Sequence, residues 1–158
     1  MSETLLTRFR FSVQIDPSGQ GGDEGLTGGD GAFSEVSGLE MSIEMTTFRE
    51  GGYHAGSRQL AGKTTTVPLI LKRGVSLDDA FWKWILRCVD GTYPLPYVTG
   101  SIHVQPPDGP ESGDEAVWTF VNGIVTKVKS ADLNAVEARD VGIEELHIVH
   151  EGLRRGGP

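Results

Sequence analysis

At 158 residues the chain has room for one compact domain with its own core and is too short for two ordinary ones. A formal net charge of -8, with no basic stripe to displace counterions, argues against specific binding to a nucleic-acid backbone. The one cysteine, Cys88, leaves no intrachain disulfide. The first residues, Met1 to Leu6, lack the basic and apolar regions of a signal peptide, and no stretch approaches membrane-spanning length.

Phe9, Phe11, Val13 and Ile15 alternate with Arg8, Arg10, Ser12 and Gln14, the period-two pattern of a strand with one buried face. From Asp16 to Ala32 the chain is rich in glycine and acid with almost no apolar content, so this stretch reads as a flexible loop. Two strands follow, Ala32 to Ser37 and Glu40 to Arg49, broken near Gly38; in the second, Met41, Ile43 and Met45 alternate against Ser42, Glu44 and Thr46. Glu50 to Lys63 contains four glycines with Tyr53, His54, Arg58 and Gln59 between them and reads as a second long loop. A strand over Thr64 to Arg73 carries Val67, Leu69 and Leu71 on one side.

Ser76 with Asp79 three residues later is a helix start signal, and Leu77, Phe81, Trp84, Ile85 and Cys88 then fall on one helical face until Asp90-Gly91. Beyond the helix, strands are predicted over Tyr97 to Gln105, Glu115 to Asn122, Ile124 to Lys129 and Val136 to Val149. Asn122-Gly123 marks a tight turn between the second and third of these. The sum is a mainly β fold, an antiparallel sandwich or barrel with one flanking α-helix. One domain spans residues 1–153, and 154–158 form a short tail.

Catalytic and metal patterns fail on inspection. Gly62-Lys63-Thr64 lacks the phosphate-loop glycine five positions earlier, where Ser57 stands, and a strand rather than a helix follows. His147 and His150 are three apart, but on a strand they point to opposite faces. Ser34, Ser37 and Ser57 lack nucleophile-elbow glycines. Cys88, on the apolar helix face, reads as a packed core residue rather than a nucleophile. Trp82 lies about 160° round the helix from Trp84 at roughly 100° per residue, so one of them faces a partner or a different part of the core. No catalytic residue, cofactor or metal is expected.

One stretch carries more. It runs Phe33-Ser34-Glu35-Val36-Ser37-Gly38-Leu39-Glu40, then Phe48-Arg49-Glu50-Gly51-Gly52, then Leu60-Ala61-Gly62-Lys63, and closes on Leu71-Lys72-Arg73-Gly74. The Trp82/Trp84 helix, Asp132-Leu133-Asn134-Ala135 and His150-Glu151-Gly152-Leu153 continue the pattern in order. In this order and spacing the chain resembles the tail tube proteins of contractile phages and of phage-tail-like contractile injection systems, and is similar to the type VI secretion tube protein.

The resemblance implies a β-barrel-like subunit with one helix that forms homo-hexameric rings stacked into a hollow tube. Its partners would be a sheath protein, baseplate or spike proteins, and DNA or protein cargo in the lumen. Such a protein would be assembled in the bacterial cytoplasm and carried in a phage virion or tail-like particle. The 50–63 loop matches the family's extended loop, which makes Arg49, Glu50, Gly51, Gly52 and Arg58 candidate assembly contacts, with Lys72 and Arg73 as further ones. The polar positions Glu40, Ser42, Glu44 and Thr46 are candidates for the lumen wall. The long Asp16–Ala32 segment, and Ala61 where a proline is common, leave open whether this is the main tube protein or a baseplate-proximal initiator. A reading of a different class is a monomeric β-barrel that binds a ligand with its tryptophans and glycine-rich loops.

Overall fold

The computed structural model describes residues 11–17, 33–77, 79–91, 93–105, 116–133 and 140–156. Its elements are β1 Phe11–Pro17, β2 Phe33–Ser37, β3 Met41–Phe48, β4 Arg58–Thr66, β5 Leu69–Gly74, α1 Ala80–Val89, β6 Val98–Val104, β7 Ala116–Lys129, β8 Ile143–Val149 and β9 Gly152–Arg155. Every strand pairing is antiparallel. The mainly β fold with one helix is the one the periodicity predicts.

The main sheet runs β1-β6-β7-β8-β5-β2, with β9 added on β7. Strand β7 belongs to both halves of it. Its first part pairs with β6 (Ile102 opposite Trp118) and β9 (Phe120 opposite Leu153), and its second part pairs with β8 (Val125 opposite Ile148). Asn122-Gly123 is therefore a bend inside one 14-residue strand, not the tight turn between two strands that the sequence predicts. The turn chemistry is real: Asn122 sits at φ 50, a conformation Asn tolerates better than most residues. But Gly123 is buried, and a Cβ there would come 2.8 Å from the Phe120 ring and 2.9 Å from the Ile148 side chain. The chain uses the Asn-Gly pair to fold the sheet over its own core.

That core lies between the two halves. Val13, Ile15, Val98, Ile102, Phe120 and Leu153 come from one half, and Leu69, Leu71, Val125, Leu146 and Ile148 from the other. Helix α1 closes it with Phe81 and Trp84, and the Trp84 indole N–H donates to the Pro96 carbonyl at 2.9 Å. Ile85 and Cys88 pack against the same cluster, as the helical spacing predicts. The helix starts later than predicted, at Ala80 with Asp79 at the capping position, so Leu77 precedes it and is fully exposed. Apolar spacing places Leu77 one turn before Phe81 on the same face, but the chain has not yet entered the helix there.

Three further boundaries shift. Arg58–Thr66 is a strand where a loop reaching Lys63 is predicted, and Val67-Pro68 separates it from β5. Proline has no N–H to give the ladder, which explains the break. The predicted Val136–Val149 strand begins at Ile143 among the described residues, and Gly152–Arg155 adds a strand that periodicity over four residues is too short to reveal. The predicted loop over Asp16–Ala32 lies, beyond Pro17, outside the described residues.

Candidate assembly interface

Strands β2 and β5 pair within the main sheet (Val36 opposite Leu71), and their continuations β3 and β4 pair beyond it (Met41 opposite Thr66). The two segments form one antiparallel ribbon, interrupted at Gly38–Glu40 on one side and Val67-Pro68 on the other. Gly38 makes the interruption possible: its φ is 89, and a Cβ there would run into the Pro68 carbonyl oxygen. Past this point the ribbon leaves the body as a two-stranded arm.

No side chain of β3 is buried, and of β4 only Thr66, at the root, is even half-covered. On one face Met41, Ile43 and Met45 are 55%, 56% and 57% exposed, beside Thr66, Thr64 and Ala61 across the ladder. The opposite face carries Ser42, Glu44 and Thr46, then Phe48 and Leu60 toward the tip. A register irregularity between Ile43 and Met45 places Gly62 and Lys63 opposite Glu44. The three lumen candidates on β3 thus share a face, and Glu40 precedes it, also exposed.

At the tip the chain turns over Arg49–Ser57, with Tyr53 N–H donating to the Glu50 carbonyl at 3.2 Å. Arg58 pairs with Glu50 at 2.6 Å and stacks over Tyr53 at 4.9 Å. Three residues of the predicted recognition loop therefore form one cluster, while Arg49 stands beside it with no ion-pair partner among the described residues. Gly51 and Gly52 lie in the same turn, open to solvent.

The remaining two candidates separate. Lys72 lies on the outward face of β5 and reaches Glu35 on β2 at 3.1 Å. Arg73 turns inward instead: it is buried, pairs with buried Glu144 at 3.2 Å, and stacks over the Phe81 ring at 3.8 Å. Phe81 stacks in turn on Phe33, centroid to centroid 5.9 Å. The alternation of β5 sends Leu69, Leu71 and Arg73 the same way, so the two candidate contacts Lys72 and Arg73 lie on opposite faces.

Two features escaped the sequence. The first is an open cleft of about 600 Å³ at the end of the body opposite the arm, where β5 and β7 end and β8 begins, with Val75, Leu133, Val141 and Ile143 on its apolar rim and Asp132 and Asp140 beside them. The Asp132-Leu133 motif was the available signal. The second is His150, buried at the turn from β8 to β9 with its ring 6.0 Å from that of Phe120. Burial pushes its imidazole below the ordinary histidine range, and the Gly152 and Val67 backbone partly offsets this. Neither ring nitrogen closes a well-formed hydrogen bond. Val67 belongs to the arm root, so the ring lies beside the backbone from which the arm departs.

Trp84 is buried and Trp82 is 38% exposed on the outer side of α1. Burial also raises the Cys88 thiol. Among the described residues no helix is long and apolar enough to cross a membrane, and no group of three metal-ligating side chains occurs.

Comparison with solved structures finds this fold in contractile injection machines. A chain from the anti-feeding prophage baseplate aligns with a TM-score of 0.80 at 22% identity, covering 99% of this chain and 98% of that one. A chain from the sheath–tube complex of the extracellular contractile injection system PVC, in the extended state, gives 0.74 at 17%, covering 99% and 94%. Hcp1 from Flavobacterium johnsoniae gives 0.53 at 11%, covering 93% and 96%. No curated protein matches the sequence. The model of the T4-like virus tail tube protein gp19 family matches residues 7–154, nearly the whole sequence, and the chain belongs to that tail tube family.

Proposed function

We propose that this chain is a non-enzymatic subunit that forms six-membered rings, stacked into the inner tube of a contractile tail or injection particle and serving as a conduit for DNA or protein cargo. The arm is the observation that carries this reading. An isolated two-stranded hairpin is marginal in water at best, and β3–β4 has little cover among the described residues. Met41, Ile43 and Met45 are each a little over half exposed, so covering them is worth about 1–1.5 kcal/mol apiece, and a neighbouring copy is the natural lid. Contact between an arm and a different surface of the next copy is head-to-tail, and such contacts close into rings when the rotation permits.

With Met41, Ile43 and Met45 against a neighbour, the other face of β3 is left for the lumen, with Ser42, Glu44 and Thr46 and the adjacent Glu40 wetted. A formal charge of -8 on every copy suits a channel that must not hold a polyanion. Sheath protein on the outside and baseplate or spike proteins at one end are the expected partners. The particle, phage or tail-like, would be assembled in the bacterial cytoplasm.

Negative-stain microscopy with light scattering on the purified protein tests the reading. Sixfold rings or tubes are expected. Replacing Arg49 and Glu50 together with Ala should leave a folded monomer that assembles poorly, and unaltered tubes would remove the arm tip, with Gly51, Gly52 and Arg58, from the interface. Rings that stack on one face only would indicate a baseplate-proximal initiator. A strictly monomeric protein that holds a small ligand would replace the tube reading altogether.

A further inference from the structure

The arm and the cleft lie at opposite ends of the same half-sheet. Leu69, opposite Ile148, marks the end from which the arm departs, whereas Gly74, opposite Ile143, and Lys129, opposite Glu145, mark the end where the cleft opens. A donor at one end and an acceptor at the other make a contact that repeats from copy to copy, rather than one that pairs two copies about a dyad.

The two surfaces also match in chemistry. The tip presents Phe48, Tyr53 and Leu60, all large and exposed, while Leu133 and Val141 on the cleft rim are 95% and 78% exposed. Arg49 at the tip and Asp140 at the cleft have opposite charges, and neither has an ion-pair partner among the described residues. Asp132 and Glu145 add further acid to the cleft, with Lys129 3.8 Å from Asp132. At about 600 Å³ the cleft admits a few large side chains but not a whole strand pair. It therefore suits the tip, leaving the flatter Met41–Ile43–Met45 face to a broader surface.

We propose that the arm tip of one copy seats in the cleft of the next, Phe48, Tyr53 and Leu60 covering Leu133 and Val141, with Arg49 set against Asp140. The proposal rests on the tube reading above and specifies a contact within it.

Engineered cysteines test it. In a Cys88→Ser background, Tyr53→Cys and Leu133→Cys are combined, tubes are formed, and the sample is mildly oxidised and run under denaturing, non-reducing conditions. A single-cysteine control can give nothing larger than a dimer. The double variant is expected to give a ladder of trimers and higher species, because each copy donates one tip and accepts another. A charge swap supplies the second readout: Arg49→Asp should weaken assembly roughly tenfold, and adding Asp140→Arg should restore most of it. Tubes visible by microscopy that give no species above dimer overturn the tip-to-cleft contact and leave the tube reading standing. A Cys88→Ser parent that forms neither rings nor tubes overturns both.

Discussion

The body and the arm are built from the same two chain segments and obey opposite rules. In the body, β5 alternates between core and surface with Leu69 and Leu71 fully buried, and β2 beside it turns Phe33 into the core. A few residues along the same ribbon, β3 alternates just as cleanly, yet its apolar side faces solvent. Alternation in a sequence states that a face is to be covered; it does not state by what. In the body the cover is intramolecular and contributes to folding, whereas in the arm it is left to assembly. Substitutions in the two regions should therefore move different observables.

The largest effect on folding belongs to the body. Phe120 is fully buried where β7 bends, against Gly123 and His150. Phe120→Ala should cost about 3–5 kcal/mol in denaturant unfolding of the monomer, the range for removing a core aromatic ring. A loss under 1 kcal/mol would mean that the bend of β7 is not where the two halves are held together. Gly38→Ala comes next, at about 1–3 kcal/mol, since alanine at φ 89 is strained and its methyl group meets the Pro68 carbonyl. Because that strain sits at the arm root, the variant should also lose assembly out of proportion to its stability. A stable variant with normal tubes would show that the hinge tolerates another path.

The fold was readable from period-two alternation because most strands here are half-buried, and the helix from the spacing of Phe81, Trp84, Ile85 and Cys88. The arm was readable as a strand at β3 but not at β4, where Arg58 to Lys63 contains two small residues and no alternation. Only pairing with β3 makes that segment extended, and pairing is nonlocal. The candidate contacts Arg49, Glu50 and Arg58 came from a resemblance, and the structure adds what residue types alone do not show: Glu50 is already paired with Arg58 and Arg49 is not. Lys72 and Arg73 look alike in the sequence, while the strand sends them to opposite faces and buries Arg73 against Glu144. The cleft depends on β5 and β7 ending where β8 begins, which no local pattern encodes.

His150 is buried in the body beside the Val67 backbone at the arm root, and should make the comparison depend on pH. Its folded-state pKa is lowered by burial, so the folded protein favours the neutral ring more than the unfolded chain does. That contribution is complete above the unfolded value of about 6.5 and is lost as pH falls through it toward the folded value. Thermal unfolding between pH 7.5 and 5 should therefore show a decline that His150→Gln reduces, since glutamine does not titrate. Val67 packs beside the ring, so the arm root should lose protection from hydrogen exchange in the same pH range. An identical decline in the variant would assign the pH dependence to carboxylates elsewhere.

The smallest effect on folding should accompany the largest effect on assembly. Replacing Met41, Ile43 and Met45 together with Ser removes three large apolar side chains from a face left exposed among the described residues. Because those groups are already in water, the monomer loses little burial, and surface substitutions of this kind usually shift stability by no more than about 0.5 kcal/mol each. In an assembled tube the exposed part of the same groups would contribute about 1–1.5 kcal/mol each, repeated in every copy. Denaturant unfolding should thus be nearly unchanged while rings and tubes disappear from light scattering and micrographs. A destabilised monomer would mean that the arm folds back onto its own body in solution. Intact tubes would mean that its apolar face points at something other than a neighbour.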